Sequence, residues 1–564
     1  MTSRPTALRP FTAALAVAAL LLAAASATSA RAQDDSESQS TDDGLEVDKL
    51  VAPVHMQDVL NNPEYGPGIE GKRPTADKRL KTSFTMRSEV HSYNNLDLRP
   101  LKETSDLDVI TTDDRHTFAY STIIGEVQYL VAQPLHISIS LAHNGLWGED
   151  QLGQDGMNTG VLSFYELAMH YTPVQMSALS VNISLGRQPF SIGDAPRDYV
   201  LDDVLDALVI EVNARKAGRL RILAFDYFSA NDLPSASFVG YIGGKEPVLG
   251  LRGDTYTLRT GGIYENVGTL VKGLMFKAYV FYADIGGGPV TETGADISYG
   301  GSLGNFSDND WNMVAGGRAG YTYDFGTGTA GLYVDGAYSK GVDRKEAVAR
   351  DVKGDGLMIG GGLGASVSPS DDFKAELAVD FYRFDGADYD EDGLVKNHGF
   401  VGFKGRQVGG LSIDRYAGWH PSAYVGSGGI ERTPQNIENI GGKQFLHAGL
   451  KLTILKDFML QGDFWMYQDT SSTKLDMQRL ITLDPPFGYS REEFAAEARL
   501  GKSLGNEFNV QASYQALEQL QFYASGGVFL PGDFYKTTIA RVAGTSLGGQ
   551  ETFWGISGGA AVNF

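Results

Sequence analysis

The stretch Thr552-Phe553-Trp554-Gly555-Ile556-Ser557-Gly558-Gly559-Ala560-Ala561-Val562-Asn563-Phe564 decides how this chain is read. Counting back by twos from its end gives Phe564, Val562, Ala560, Gly558, Ile556 and Trp554. That series is apolar, with an aromatic at each end. The positions between them are Asn563, Ala561, Gly559, Ser557, Gly555 and Phe553. Strict alternation marks a strand with one greasy face. Tilted, a strand of this length crosses the hydrocarbon of a bilayer and sets its aromatics at the two interfaces.

Working back from it, similar segments recur. Strands are expected near 80–93, 116–131, 135–146, 161–171, 179–189, 206–213, 219–229, 254–264 and 272–283. Nine more are expected near 311–323, 330–341, 354–367, 373–384, 445–454, 458–468, 504–514, 519–530 and 552–564. Leu135, Ile137, Ile139 and Leu141 alternate with His136, Ser138 and Ser140; Phe508, Val510 and Ala512 alternate with Asn509, Gln511 and Ser513. Tight turns such as Ala132-Gln133-Pro134 and Leu455-Lys456-Asp457 alternate with long polar loops, the largest near 385–444 and 469–503. That sidedness is expected of a membrane barrel with short periplasmic turns and long external loops. The segment Arg491 to Lys502 breaks the parity if counted as a strand, so it is assigned to a loop. The expectation is an all-β, antiparallel transmembrane barrel of about 18 strands.

The N-terminus agrees. Arg4 and Arg9 precede an apolar run from Phe11 to Ala25, and Ala30-Arg31-Ala32 fits a signal-peptidase site. The organisation read from this is 1–32 signal peptide, 33–79 mostly unstructured periplasmic lead-in, and 80–564 barrel. No later run reaches the length of a membrane helix, and an exported chain without one crosses a bilayer only as a closed barrel. Cysteine is absent, so a closed hydrogen-bond network has to hold the fold instead of disulfides. Three arginines and no acid leave with the signal, which takes the net charge from −22 to −25. That balance excludes nucleic acid as a partner, because no basic patch replaces phosphate counterions. Acidic external loops suit divalent cations shared with lipopolysaccharide, so the expected surroundings are outer-membrane lipid and lipopolysaccharide.

Parity assigns the inward charges. The expected pore-lining residues are Arg221, Arg259, Lys277, Arg318 and Lys451, with Glu166, Glu211 and Asp226 among more numerous acids. The first four cations fall on consecutive strands and are expected to line one arc of the wall. Either the wall is salt-bridged and unselective, or its charges conduct a hydrophilic solute through a wide aqueous lumen.

Several segments resemble the alginate-export family of outer-membrane barrels: Leu185-Gly186-Arg187-Gln188 followed by Gly193-Asp194, then Asp206-Ala207-Leu208, Leu504-Gly505-Asn506-Glu507 and Phe529-Leu530-Pro531-Gly532-Asp533-Phe534. The resemblance implies a monomeric eighteen-strand barrel that exports a polyanionic polysaccharide passively through an arginine-rich constriction. The excess of inward acids departs from that pattern, since lumen charge concentrates ions of the opposite sign. The alternatives are a general or substrate-specific porin for small solutes, possible as a trimer, and a non-conducting surface barrel with partner-binding loops. The terminal Phe564 resembles the signal read by the barrel assembly machinery.

Two further motifs carry possible chemistry. Asp388, Asp390 and Asp392 alternate in a D-x-D-x-D-G run, the opening of a calcium loop, but Gly399 stands where the twelfth-position Glu belongs. Gly544 to Gly548 and Gly555 to Gly559 match G-x-S-x-G, yet neither sits at a strand-to-helix elbow, so no enzyme is expected. No cofactor is expected; the aspartate run is either an acidic surface loop or a calcium site in the external loop. Deletion of Phe564 is expected to reduce the heat-modifiable, membrane-inserted protein in cell envelopes; undiminished insertion would remove the terminal aromatic as an assembly signal.

Overall fold

The computed structural model describes most of residues 79–563; residues 1–78, 95–114, 148–160, 193–198, 215–216, 229–255, 268–270, 287–309, 346–349, 390–394, 403–441, 471–501, 534–551 and 564, with a few single positions, lie outside the described residues. The expected signal peptide, lead-in and Arg491–Lys502 loop fall almost entirely there, as does Phe564.

The strands run β1 (Leu80–Asn94), β2 (Arg115–Ala132), β3 (Leu135–Trp147), β4 (Val161–Gln175), β5 (Leu179–Ser191) and β6 (Asp202–Ala214). Next come β7 (Gly218–Phe228), β8 (Tyr256–Val267), β9 (Leu274–Gly286), β10 (Asp310–Asp324), β11 (Gly328–Lys345), β12 (Arg350–Ser370) and β13 (Phe373–Phe384). The last are β14 (Asp388–Tyr389), β15 (Val395–Asn397), β16 (Lys443–Ile454), β17 (Phe458–Asp469), β18 (Ser503–Leu517), β19 (Leu520–Pro531) and β20 (Phe553–Asn563). Each barrel strand pairs antiparallel with its chain neighbour, and β13 pairs with β16. β20 lies between β19 and β1, in register from Thr85 opposite Asn563 to Asn94 opposite Trp554. Eighteen strands therefore form a closed antiparallel barrel, and β14 with β15 makes a small ribbon beside it. Closure leaves no barrel strand with an unpaired edge, which lipid requires.

The faces follow from the alternation. Leu332, Val334, Val510 and Ile556 each have more than half their surface exposed, while Tyr333, Asp335, Gln511 and Phe553 between them are buried. The outward set is apolar and the inward set largely polar, the pattern of an outer-membrane-type barrel. Tyr282 stacks on Trp311 on the outer face of β9 and β10, their centroids 6.2 Å apart, as in an interfacial aromatic girdle. One connection differs from expectation. β11 and β12 pair as far as Lys345 opposite Arg350, well past the expected strand ends, because backbone pairing continues through Gly341 and Gly354 into the polar tip.

β12 shapes the inner wall. Its inward positions read Gly354, Gly356, Met358, Gly360, Gly362 and Gly364. Side chains from β11 and β13 use that bare strip to meet across it. Asp335 and Tyr382 flank Gly360 in register, and the Tyr382 hydroxyl donates to Asp335 at 3.2 Å. Tyr333 and Asp380 flank Gly362, and the Tyr333 hydroxyl donates to Asp380. A Cβ at Gly360 would lie 2.2 Å from the Tyr382 ring, and one at Gly362 would lie 2.3 Å from Asp380 Oδ1. Gly360→Val and Gly362→Val are each expected to cost about 1–3 kcal/mol, the usual penalty of overpacking, read as a lower midpoint of heat modifiability. Gly336→Val is the control, since the nearest atom to a Cβ there is 3.6 Å away.

Candidate functional site: an inward-folded constriction

The link from β5 to β6 is short for the external side of the barrel, and its described ends turn into the lumen. Ile192, Tyr199, Val200 and Leu201 are all buried. Tyr199 packs on inward rings of β13 and β16, with centroids 4.9 Å from Tyr382 and 5.7 Å from both Phe384 and Phe445. Those strands stand on the far side of the ring from β5 and β6. Residues 199–201 therefore narrow the lumen by contacting the opposite wall, and the buried aromatic area holds them there.

The base of this segment is pinned electrostatically. Arg221 donates to the carbonyls of Ser191 at 2.8 Å and Ile192 at 2.6 Å, and Lys277 donates to Ile192 at 3.0 Å. Glu265 Oε2 lies 3.7 Å from Arg221 and 3.5 Å from Lys277. Arg219 also bonds Glu265 and lies 3.9 Å from Glu211. Lys277 is fully buried. A buried ammonium persists because carbonyls and a carboxylate replace its water.

A second segment enters from the β13–β16 connection. Phe400 N–H donates to the Asp385 carbonyl at 2.9 Å, and Val401 N–H donates to Ser339 Oγ at 3.0 Å. Asn312 Nδ2 donates to the Val401 carbonyl at 3.0 Å. A Cβ on Gly356 would fall 2.1 Å from Phe400 N, so the glycine is what lets this backbone lie on the wall. The two segments touch: a Cβ on Gly402 would be 3.3 Å from the Tyr199 carbonyl oxygen.

Beside the aromatic cluster runs a buried polar chain. Arg318 donates to Asp335 at 2.6 Å and to the Tyr382 hydroxyl at 3.3 Å. His447 lies between two carboxylates, with Nδ1 3.2 Å from Asp380 and Nε2 3.0 Å from Asp463, and its ring stacks 4.2 Å from Trp465. The imidazole thus holds a carboxyl oxygen at each ring nitrogen, which ties β13, β16 and β17 together.

The expected pore-lining residues sort as follows. Lys277 and Arg318 are directly opposite in register, so part of the expected arc exists. Its cations are interleaved with Glu265 and Asp335 and committed to holding the wall and the inward segment together. Lys451 sits 3.5 Å from Glu376, Glu166 bonds His170, and Glu211 accepts from Asn182. The side chains of Arg259 and Asp226 lie outside the described residues, as do Asp390 and Asp392; Asp388 pairs with Asn397 in the ribbon. Sequence reasoning missed Glu265, one residue past the expected strand end, and it missed Tyr199 and His447. The signal for Tyr199 was the run Tyr199-Val200-Leu201, an apolar stretch inside a connection.

No known protein family matches the sequence, and no curated protein matches it. Solved structures of similar fold include OccAB2 of Acinetobacter baumannii, at 9% identity and TM-score 0.42, covering 86% of this chain and 98% of that one. A BenF-like porin of Pseudomonas fluorescens Pf-5 has 10% identity and TM-score 0.44, covering 86% of this chain and 98% of that one. OprD of Pseudomonas aeruginosa has 10% identity and TM-score 0.40, covering 86% and 94%. These belong to a different family from the alginate exporters, and the expected alginate-export resemblance is corrected accordingly. The geometry agrees with the correction. Arg187, the arginine of the quoted Gly-Arg-Gln segment, shares the outward face of β5 with exposed Leu185 and pairs with Asp206 at 2.9 Å, away from the lumen.

Replacing Tyr199 with Ala is expected to raise single-channel conductance at least twofold, because the ring that spans to β13 and β16 is lost. The double variant Arg221→Met/Lys277→Met is expected to add current noise by freeing the base of the segment. Unchanged traces in planar bilayers for both variants would remove this segment as the constriction.

Proposed function

We propose that this protein is a channel of the bacterial outer membrane that passes small hydrophilic solutes, narrowed by the segment around Tyr199. The observation that carries this reading is the pairing of an eighteen-strand closed wall with an inward-folded constriction. A barrel of that size leaves an aqueous interior unless something narrows it. Its inner face offers carboxylates, guanidinium groups, amides and hydroxyls, which replace water around a polar solute. The narrowing is built on the barrel's own wall, so a size limit is part of the fold. Passage is passive, because diffusion through a fixed aqueous path requires no energy source.

The charges near the constriction set a second expectation. Arg221 and Lys277 share Glu265, Arg318 is neutralised by Asp335, and His447 stands between two acids. Opposite charges at such short range cancel over a Debye length. Purified protein in planar bilayers is expected to give stepwise conductance with a cation-to-anion permeability ratio within about threefold of unity, since paired wall charges leave little net field. Reversal potentials across a salt gradient measure that ratio. Absence of any conductance would replace the channel with a non-conducting surface barrel, and strong selectivity of either sign would overturn the cancellation.

A further inference from the structure

On the inner wall of β17 to β20 a patch of small residues is framed by large ones. In register, Gln461 faces Gln511, Gln511 faces Ser525 and Ser525 faces Ser557. One step toward the external side, Asp463 faces Asn509, Asn509 faces Gly527 and Gly527 faces Gly555. Beyond these, Trp465, Tyr467, Phe529 and Phe553 form a buried aromatic rim. On the periplasmic side Tyr523 closes the frame, its hydroxyl donating to Glu89 at 2.6 Å. Ser525, Gly527, Gly555 and Ser557 thus make a recess only in the sense of a strip of small side chains lower than the rims on either side; Gly527 and Gly555 are buried, and the Ser525 and Ser557 hydroxyls bond each other.

The carboxylates around this recess are engaged. Asp463 is bonded by His447 and by Gln461 Nε2 at 3.0 Å. Glu507 accepts from the Tyr467 hydroxyl at 2.8 Å and from Asn509 Nδ2 at 3.0 Å. Lys451, next to Gln461 in register, is held by Glu376. One group stands apart. Gln511 is fully buried on the inward face, and neither its amide nitrogen nor its amide oxygen has a hydrogen-bond partner. Asn509 Oδ1 beside it is buried and unpartnered too. Buried amides left unbonded are rare because each forfeits the bonds it made to water.

We propose that this recess is a binding subsite for a neutral polyhydroxyl solute of small-sugar size, with the Gln511 carboxamide as its principal contact. The proposal rests on the channel reading and adds the chemistry of what the lumen holds. A carboxamide offers donors and an acceptor together, which matches a pair of adjacent hydroxyls, each donor and acceptor at once. Asn509 Oδ1 supplies a further acceptor. The floor carries the smallest side chains of this wall, and an aromatic rim suits the apolar face of a ring. A charged solute is disfavoured, because the flanking ions already have partners and a new buried charge would have none.

Glucose is the probe, with gluconate as its charged counterpart. Trp465, on the rim, reports by fluorescence on the purified full-length barrel in detergent, and Trp465→Phe identifies its share of the signal. A saturable response to glucose is expected, at least tenfold weaker in Gln511→Met, with little response to gluconate. Ser525→Val, on the recess floor, is expected to weaken it likewise, and heat modifiability confirms that each variant is folded. In planar bilayers glucose is expected to block current in the unmodified protein and not in Gln511→Met. A conducting barrel without saturable glucose binding, or one whose response Gln511→Met and Ser525→Val leave intact, overturns the subsite and leaves the channel standing. A non-conducting barrel that binds glucose through Gln511 removes the channel and keeps the subsite.

Discussion

Every backbone N–H and C=O at membrane depth has to find a partner within the protein, because hydrocarbon offers none. In this chain that demand is met by the pairing of β20 with β1, which turns a long meander into a ring. The other features depend on it. Closure fixes the parity of all the strands at once, so one alternation decides which residues meet lipid and which face inward. It also makes two walls of a single sheet face each other across a lumen, and only then does a segment such as 199–201 have something to pack against.

The interior obeys a different rule. Polar groups there lose water as the lumen narrows, and burial without a partner is costly. The chain answers with shared charges. Glu265 serves Arg219, Arg221 and Lys277, and Asp335 serves Arg318 and Tyr382. Glycine is the enabling residue. The bare inner strip of β12 lets side chains from both neighbours meet over it, so the polar network crosses from β10 to β17 without a break at that strand. The inward cations therefore act mainly as ties between the wall and the segment that narrows it.

Much of the barrel was legible before any coordinates. All eighteen strands fall close to the segments expected from alternation, since the outward face of each, such as Leu135, Ile137 and Ile139 or Phe508 and Val510, has to be apolar in lipid. The fate of individual inward charges was less legible. Lys277 and Glu265 look like ordinary lumen residues in sequence, and their commitment to Ile192 depends on a loop arriving from another part of the chain. The motif resemblances failed for a related reason. Short segments such as Gly186-Arg187-Gln188 carry no information about which face of a strand they occupy, and here the arginine lies on the outer face.

The sequence by itself determined the class of fold and the strand count. These follow from a local period of two and from the demand for backbone pairing in lipid. Only the tertiary structure decided where the lumen narrows, which charges cancel, and that Gln511 lies buried without a partner. Those outcomes depend on contacts between residues far apart in the chain, such as Tyr199 with Tyr382 and Asp380 with His447. No local pattern encodes such distances, because the ring must close before they exist.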